Sequence, residues 1–323
     1  MTEEALIRVE GLYRYYGEIC AVRDVSFTLR RGEVLGFLGP NGAGKTSTMR
    51  MLSGNLAPSA GRVCINGFDL LDQPKRAKAN LGYLPEHPPL YRDLTVDEYL
   101  SYCARLHGIA RSAVRAAVEG ARARCGLERA GRRLIANLSK GFQQRLGIAQ
   151  AILHSPMVVI LDEPTIGLDP IQIREVRNLI RELGREHGVI LSTHILPEVQ
   201  TTCNRVQIIH EGQLVFSDST EGLRKRLASR SLVIAMRNPP SRTELGLLPG
   251  VEEIEELHDG RLRLHHPPEN SPAERLVKCS VAEGWGLYEL VPERASLEQI
   301  FVELTCSETH IPEPLGEETQ APA

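Results

Sequence analysis

The chain has 323 residues, 42% of them apolar and 24% charged, and a formal net charge of −3. That length predicts about two domains, the balance is that of a globular chain, and the charge excludes an overall pull toward nucleic acid or anionic lipid. Seven cysteines without a C-x-x-C pair exclude a disulfide framework or zinc site and predict reduced thiols.

The opening MTEEALIRVEGLY has neither the basic nor the apolar segment of a signal peptide. No apolar run approaches the roughly 18 residues of a membrane span. Residues 6–38 alternate apolar and polar in strand fashion, broken at YYGE and RRGE. A glycine-rich turn follows, then KTSTMRMLSG, a helix closing on Gly54. GRVCINGFDL reads as a strand with an Asn-Gly turn. Residues 95–133 are helical in character.

NLSKGFQQRLGIAQAIL starts the next helix, with serine or asparagine as its cap and Ser155-Pro156 as its stop. MVVILDEP is a continuous apolar strand, IQIREVRNLIRELGREHG an amphipathic helix, VILSTHIL another buried strand, and RVQIIHEGQLVFSDS a hairpin around Glu211-Gly212. Helices alternating with uniformly apolar strands predict a parallel sheet covered on both faces. Beyond Leu227 the Pro-rich breaks NPPSRTELGLLPG and HHPPENSP predict a small α+β appendage. The final SETHIPEPLGEETQAPA, with four glutamates, three prolines and no Lys or Arg, predicts a disordered acidic tail.

Chemistry concentrates at three strand ends. GPNGAGKT (Gly39, Pro40, Asn41, Gly42, Ala43, Gly44, Lys45, Thr46), followed by Ser47, matches G-x-x-x-x-G-K-[ST] between the strand EVLGFL and a helix. Its backbone N–H groups and the helix dipole suit phosphate. Lys45 can reach the β- and γ-phosphates, and the Thr46 hydroxyl can ligate Mg²⁺. A dinucleotide fingerprint fits less well, because the glycines fall as G-x-x-G-x-G with a lysine next. Asp162 and Glu163 end the strand VVIL. Asp162 suits a magnesium-facing acid and Glu163 a general base that polarises water. His194 ends VILST, within reach of a γ-phosphate if that strand joins the same sheet.

In their order, GPNGAGKT, LSKGFQQR, LDEPTIGLDP and STH resemble the nucleotide-binding subunit of ATP-binding cassette (ABC) transporters over roughly residues 5–220. The resemblance implies an α/β fold: a P-loop ATPase core with an antiparallel β subdomain and a helical subdomain carrying the signature. It implies ATP and Mg²⁺ as cofactors. Tyr16 of YYGE matches the adenine-stacking aromatic, with Tyr13 and Tyr15 as neighbouring alternatives. Asp169 of GLDP matches a loop crossing the dimer interface, and His194 the switch histidine.

Two motifs depart from the family pattern. The signature, usually Leu-Ser-Gly-Gly-Gln, reads Leu138, Ser139, Lys140, Gly141, Phe142 here, keeping the phosphate-facing Ser139 and Gly141. Glu86 of LGYLPEHPPLY stands where the family has a glutamine at Mg²⁺. A carboxylate is an equally hard oxygen ligand, and its charge also repels phosphate. PEHPPLY, SKGFQQR and SLEQIFVELT resemble the branch of gliding-motility and multidrug-export subunits.

The sequence therefore predicts a nucleotide-binding domain at 1–225, an accessory α+β domain at 226–307 and a tail at 308–323. The implied function is ATP hydrolysis driving a separate integral-membrane permease, with export favoured by the branch. The chain would sit peripherally on the cytoplasmic face of the membrane as a homodimer or paired cassette, each ATP closed by the opposing Ser139. The alternative is a soluble cassette ATPase acting on translation or DNA. One phosphate loop and the lack of a long insertion between Lys45 and Ser139 argue against it. A non-catalytic regulatory cassette is disfavoured by the presence of Lys45, Asp162, Glu163 and His194. Seven arginines between Arg111 and Arg133 lack interleaved aromatics and read as a solvated helix face, so no nucleic acid is expected.

Overall fold

A computed structural model of the chain describes residues 5–226, 231–267 and 269–293. Two compact units meet at Thr220/Glu221. The first begins with β1 (Ile7–Tyr16) and β2 (Ile19–Leu29), which turn at Gly17, and β3 (Val34–Leu38). α1 (Lys45–Leu52) follows, then β4 (Ala60–Ile65) and β5 (Phe68–Asp69). Asn66 and Gly67 join the last two strands with φ of 48° and 78°, the paired left-handed residues that a two-residue hairpin needs.

Next come α2 (Pro74–Ala79), β6 (Leu81–Leu84), α3 (Val96–Leu106), α4 (Val114–Arg124) and α5 (Lys140–Ile152). Thr95 and Glu98 close a reciprocal capping box on α3, which ties down two orphan N–H groups. β7 (Val158–Asp162), α6 (Pro170–Leu183), β8 (Gly188–Thr193), α7 (Leu196–Thr202), β9 (Arg205–His210) and β10 (Gln213–Ser219) complete the unit. α8 (Thr220–Arg226) spans the boundary.

These strands form two sheets. β2-β1-β4-β5 is antiparallel, and β10-β9-β3-β8-β7-β6 is parallel except for the edge strand β10. Every residue of β3, β7 and β8 is buried, which is why these strands read as unbroken apolar runs. Full burial of each Val, Leu or Ile contributes about 1.5–3 kcal/mol. Because β3, β8, β7 and β6 lie side by side and parallel, the loops after Leu38, Thr193, Asp162 and Leu84 all leave the same carboxyl edge. Ligands of open α/β sheets gather at that edge.

α3, α4 and α5 pack together. Three of the arginines expected on a solvated face carry acidic partners: Arg115 with Glu119, Arg122 with Asp97 and Arg124 with Glu186. Beside them, His107 and His154 stack face to face, 3.8 Å between centroids and 7° from coplanar. Burial first, and then the neighbouring imidazole, push His154 down to about 4. An unfolded chain therefore binds more protons between that value and the ordinary 6.5, so stability is full above pH 6.5 and falls as pH drops toward 4. The loss attributable to His154 is at most roughly 2–3 kcal/mol. Chemical denaturation at pH 7 and pH 4.5 should show a smaller acid loss in His154→Phe than in the wild type; equal losses would discount the pair.

In the second unit, β11 (Ser231–Met236), β12 (Glu253–Glu256), β13 (Leu262–His265) and β14 (Leu287–Glu293) pair antiparallel in the order β12-β13-β11-β14. With α9 (Arg242–Gly246) and α10 (Ala273–Glu283) they enclose a small core of Leu232, Ile234, Leu245, Leu264 and Leu276. The helix expected in SLEQIFVELT and the acidic tail lie outside the described residues. Among the described residues no helix is long and apolar enough to cross a membrane.

Candidate functional site

The glycine-rich loop runs from the end of β3 straight into α1. It is held at both ends: Gly39 N–H donates to Thr193 O at 3.4 Å, and Gly212 N–H to Ala43 O at 3.0 Å. Gly44 has φ 104°, and a Cβ there would meet Ala21 O at 2.5 Å. Only glycine fits that position. α1 carries no side-chain cap and no acid in its first turn, so its N-terminal N–H groups and its dipole are presented to an anion. Lys45 is buried, and its ammonium donates to Gly39 O at 2.8 Å and Pro40 O at 3.1 Å.

Glu163 begins the loop after β7 in the left-handed region, with φ 49°. For a side chain without the Asn or Asp preference this costs on the order of 1–3 kcal/mol. Its N–H donates to Ser192 O at 3.0 Å, which ties the strained turn to β8. Its nearly buried carboxylate accepts from His194 Nδ1 at 3.0 and 3.1 Å and lies 3.6 Å from Lys45 Nζ. One cation and one imidazole thus flank a carboxylate poised toward a cleft.

Asp162 is fully buried, and burial pushes its carboxyl up, with Glu163 and Glu86 adding to the rise. The Ser192 hydroxyl beside it pulls the other way, yet neither Asp162 oxygen, nor Ser192 Oγ, has a hydrogen-bond partner of good geometry. Two orphaned carboxylate oxygens that deep are costly, and they suit a hard cation. No three acidic, His or Cys side chains converge as a cage among the described residues. Mg²⁺ is a hard cation commonly held by one or two carboxylates together with substrate phosphates.

A cleft of about 330 Å³ collects Asn41, Gly42, Gly44, Lys45, Thr46 and Ser47 with Glu86, Glu163, Ile166 and His194. Of the three candidate tyrosines, Tyr13 and Tyr15 stack on each other at 6.3 Å, whereas Tyr16 brings its hydroxyl to 3.4 Å from Ser47 Oγ. Arg14, which sequence reasoning did not single out, lies 4.8 Å over the Tyr16 ring.

Ser139, Lys140, Gly141 and Phe142 do not line this cleft. Ser139 caps α5, its hydroxyl accepting from Phe142 N–H at 3.4 Å. A Cβ on Gly141 would strike the Gln172 side chain at 2.6 Å, and Lys140 packs against Gly167. Phe142 lies under Arg145, which pairs with Glu175. Asp169, expected in an interface loop, uses one carboxylate oxygen to cap α6, accepting from Ile171 and Gln172 N–H at 3.0 and 2.9 Å. Glu198, a buried acid on α7 that sequence reasoning also passed over, joins several of these loops.

A parallel sheet whose carboxyl edge carries a glycine phosphate loop with a buried lysine, a strand-end acid pair and a histidine defines a P-loop nucleotide-hydrolysing protein. The family model described as ABC transporter matches residues 22–166. The chain is 34% identical to a bacitracin transport ATP-binding protein of Bacillus licheniformis, over 93% of this chain and 97% of that one. It is 40% identical to the ABC transporter ATP-binding protein NatA of Bacillus subtilis, over 66% of this chain and 87% of the relative. A solved Clostridium perfringens subunit, part of the ABC transporter complex cbiONQ, superposes with TM-score 0.63 at 28% identity, covering 69% of this chain and 91% of that one. The chain belongs to the ABC transporter ATP-binding subunits, and it is an ATPase of the kind that couples hydrolysis to transport.

Proposed function

We propose that this subunit drives a separate integral-membrane permease, by export, from a peripheral position on the cytoplasmic face, and that it acts as a dimer with ATP sandwiched between copies. The observation that carries its hydrolytic step is the Lys45–Glu163–His194 cluster, closed to 3.6 and 3.0 Å at the mouth of the phosphate loop. Phosphates rest on the N–H groups of the cleft-lining residues from Gly42 to Ser47, with Lys45 at the β- and γ-positions and Tyr16 against adenine. Glu163 takes the proton of the attacking water, and His194 orients that carboxylate and faces the γ-phosphate. Thr46, Asp162 and Glu86 would hold Mg²⁺, which supplies charge neutralisation between the phosphates.

The cleft is left without Ser139 to Phe142 of its own chain, which supports their acting on ATP held by a second copy, with Asp169 near the crossing. Two such sites in head-to-tail order give a closed two-fold dimer. Loss of the γ-phosphate removes the bridge and opens it. The relative named for bacitracin transport supports a transport role, and the solved subunit that is part of the ABC transporter complex cbiONQ supports assembly with partner subunits. Against action on translation or DNA, three of the seven arginines between Arg111 and Arg133, namely Arg115, Arg122 and Arg124, are engaged in ion pairs.

Phosphate release by the purified chain tests the reading: turnover should require both ATP and Mg²⁺ and vanish in chelator. In the same assay Glu86→Gln should retain activity, since an amide oxygen can still meet the cation, and Glu86→Ala should lose at least about tenfold. Equal rates in all three proteins would remove Glu86 from the metal site.

A further inference from the structure

We infer that Glu198 is a positioning residue for hydrolysis: its carboxylate, by accepting the Thr165 and Thr193 hydroxyls at once, fixes the Glu163 loop to the strand end that carries His194. This rests on the roles proposed above for Glu163 and His194. Glu198 is 1% exposed and sits in the first turn of α7. Thr165 Oγ1 donates to Oε1 at 2.6 Å, and Thr193 Oγ1 to Oε2 at 2.9 Å. Arg177 of α6 adds a third contact to Oε1 at 3.3 Å.

The placement of the donors gives the network its meaning. Thr165 lies two residues after Glu163, and Thr193 immediately precedes His194. Thr193 Oγ1 also accepts Ile195 N–H at 3.1 Å, so its one hydroxyl proton is directed to Glu198. Arg177 belongs to the helix that Asp169 caps. One carboxylate therefore links the base loop, the histidine strand and α6, with both of its oxygens used.

Burying a carboxylate is costly unless it is paired and hydrogen-bonded. Here a single cationic neighbour and two hydroxyls satisfy it. An apolar residue would fill the same space without that cost, but it would leave the alignment of the two loops to the backbone, through the Glu163 N–H bond to Ser192 O, with the Thr165 and Thr193 side chains no longer joined. Glu163 already occupies a strained turn, and its 3.0 Å contact with His194 has no covalent link shorter than the sheet itself. A misplacement of about 1 Å at such a contact costs on the order of 10²-fold in rate.

Hydroxyl-deleting variants test this without emptying the core, because valine matches threonine in shape. Thr165→Val and Thr193→Val should each lower kcat about tenfold, with KM for ATP within twofold and the melting temperature close to wild type. Thr165→Ser and Thr193→Ser, which keep the hydroxyl and lose the methyl, should stay within twofold of wild-type kcat. Wild-type kcat in both valine variants would overturn the inference. So would serine variants as impaired as the valine ones, or a kcat loss accompanied by an equal rise in KM and a lower melting temperature, since each marks a packing role alone. If Glu163→Gln turns over as fast as wild type, the proposed hydrolysis site fails instead.

Discussion

Glu163→Gln should reduce ATP turnover by about 10²–10⁴-fold, the range of a general base, while ATP still binds. Glutamine keeps the length and volume of the side chain, so the left-handed turn at φ 49° and the N–H bond to Ser192 O are undisturbed. What disappears is the charge. The carboxylate that sits 3.6 Å from Lys45 Nζ and accepts from His194 Nδ1 becomes an amide, which cannot take a proton from water near neutral pH. Lys45 and the loop N–H groups remain, so the phosphates keep their cradle. Phosphate release and ATP binding measured on the same preparation separate the two effects. Undiminished turnover would assign the base elsewhere.

Lys45→Ala should act on the other term, weakening ATP binding by roughly 100-fold or more. A hydrogen bond from a charged donor contributes about 1.5–3 kcal/mol, and on the proposed reading the ammonium meets two phosphates. The side chain is only 5% exposed and also satisfies Gly39 O and Pro40 O. Its removal therefore leaves the buried Gly39 carbonyl short of a donor, and a modest drop in melting temperature should accompany the lost affinity. Lys45→Arg is not a safe control, because a planar guanidinium does not fit a slot cut for a point charge. Calorimetric titration with ATP gives the affinity directly. Wild-type affinity in a folded Lys45→Ala protein would remove the loop from its assigned role.

Much of this site was legible in the sequence because its parts obey local rules. Phosphate loop, acid pair and histidine each follow an unbroken apolar run, and such runs are strands buried on both faces of one parallel sheet. The Asn66-Gly67 and Glu211-Gly212 turns announce their hairpins by a glycine at positive φ, preceded in the first by an asparagine that tolerates it. What escaped depends on chain geometry across long separations. β1 departs from strict alternation through register shifts between Val9 and Tyr15. Counting alone therefore did not tell which tyrosine faces Ser47, and the structure brings Tyr16 there. Asp169 carries the sequence mark of an interface loop, yet a helix start immediately follows, and its carboxylate serves that start. Glu198 gave no signal, since its partners Thr165 and Thr193 are ordinary residues that the sheet order and α7 bring together.

In the proposed dimer each phosphate loop is completed by the signature residues of another copy. The most direct test is the mass in solution of Glu163→Gln with and without Mg-ATP, read by light scattering during size-exclusion chromatography. A shift from 35.8 kDa without nucleotide to twice that value with it is the predicted result. A species that remains at the mass of one chain while ATP is bound would contradict the account.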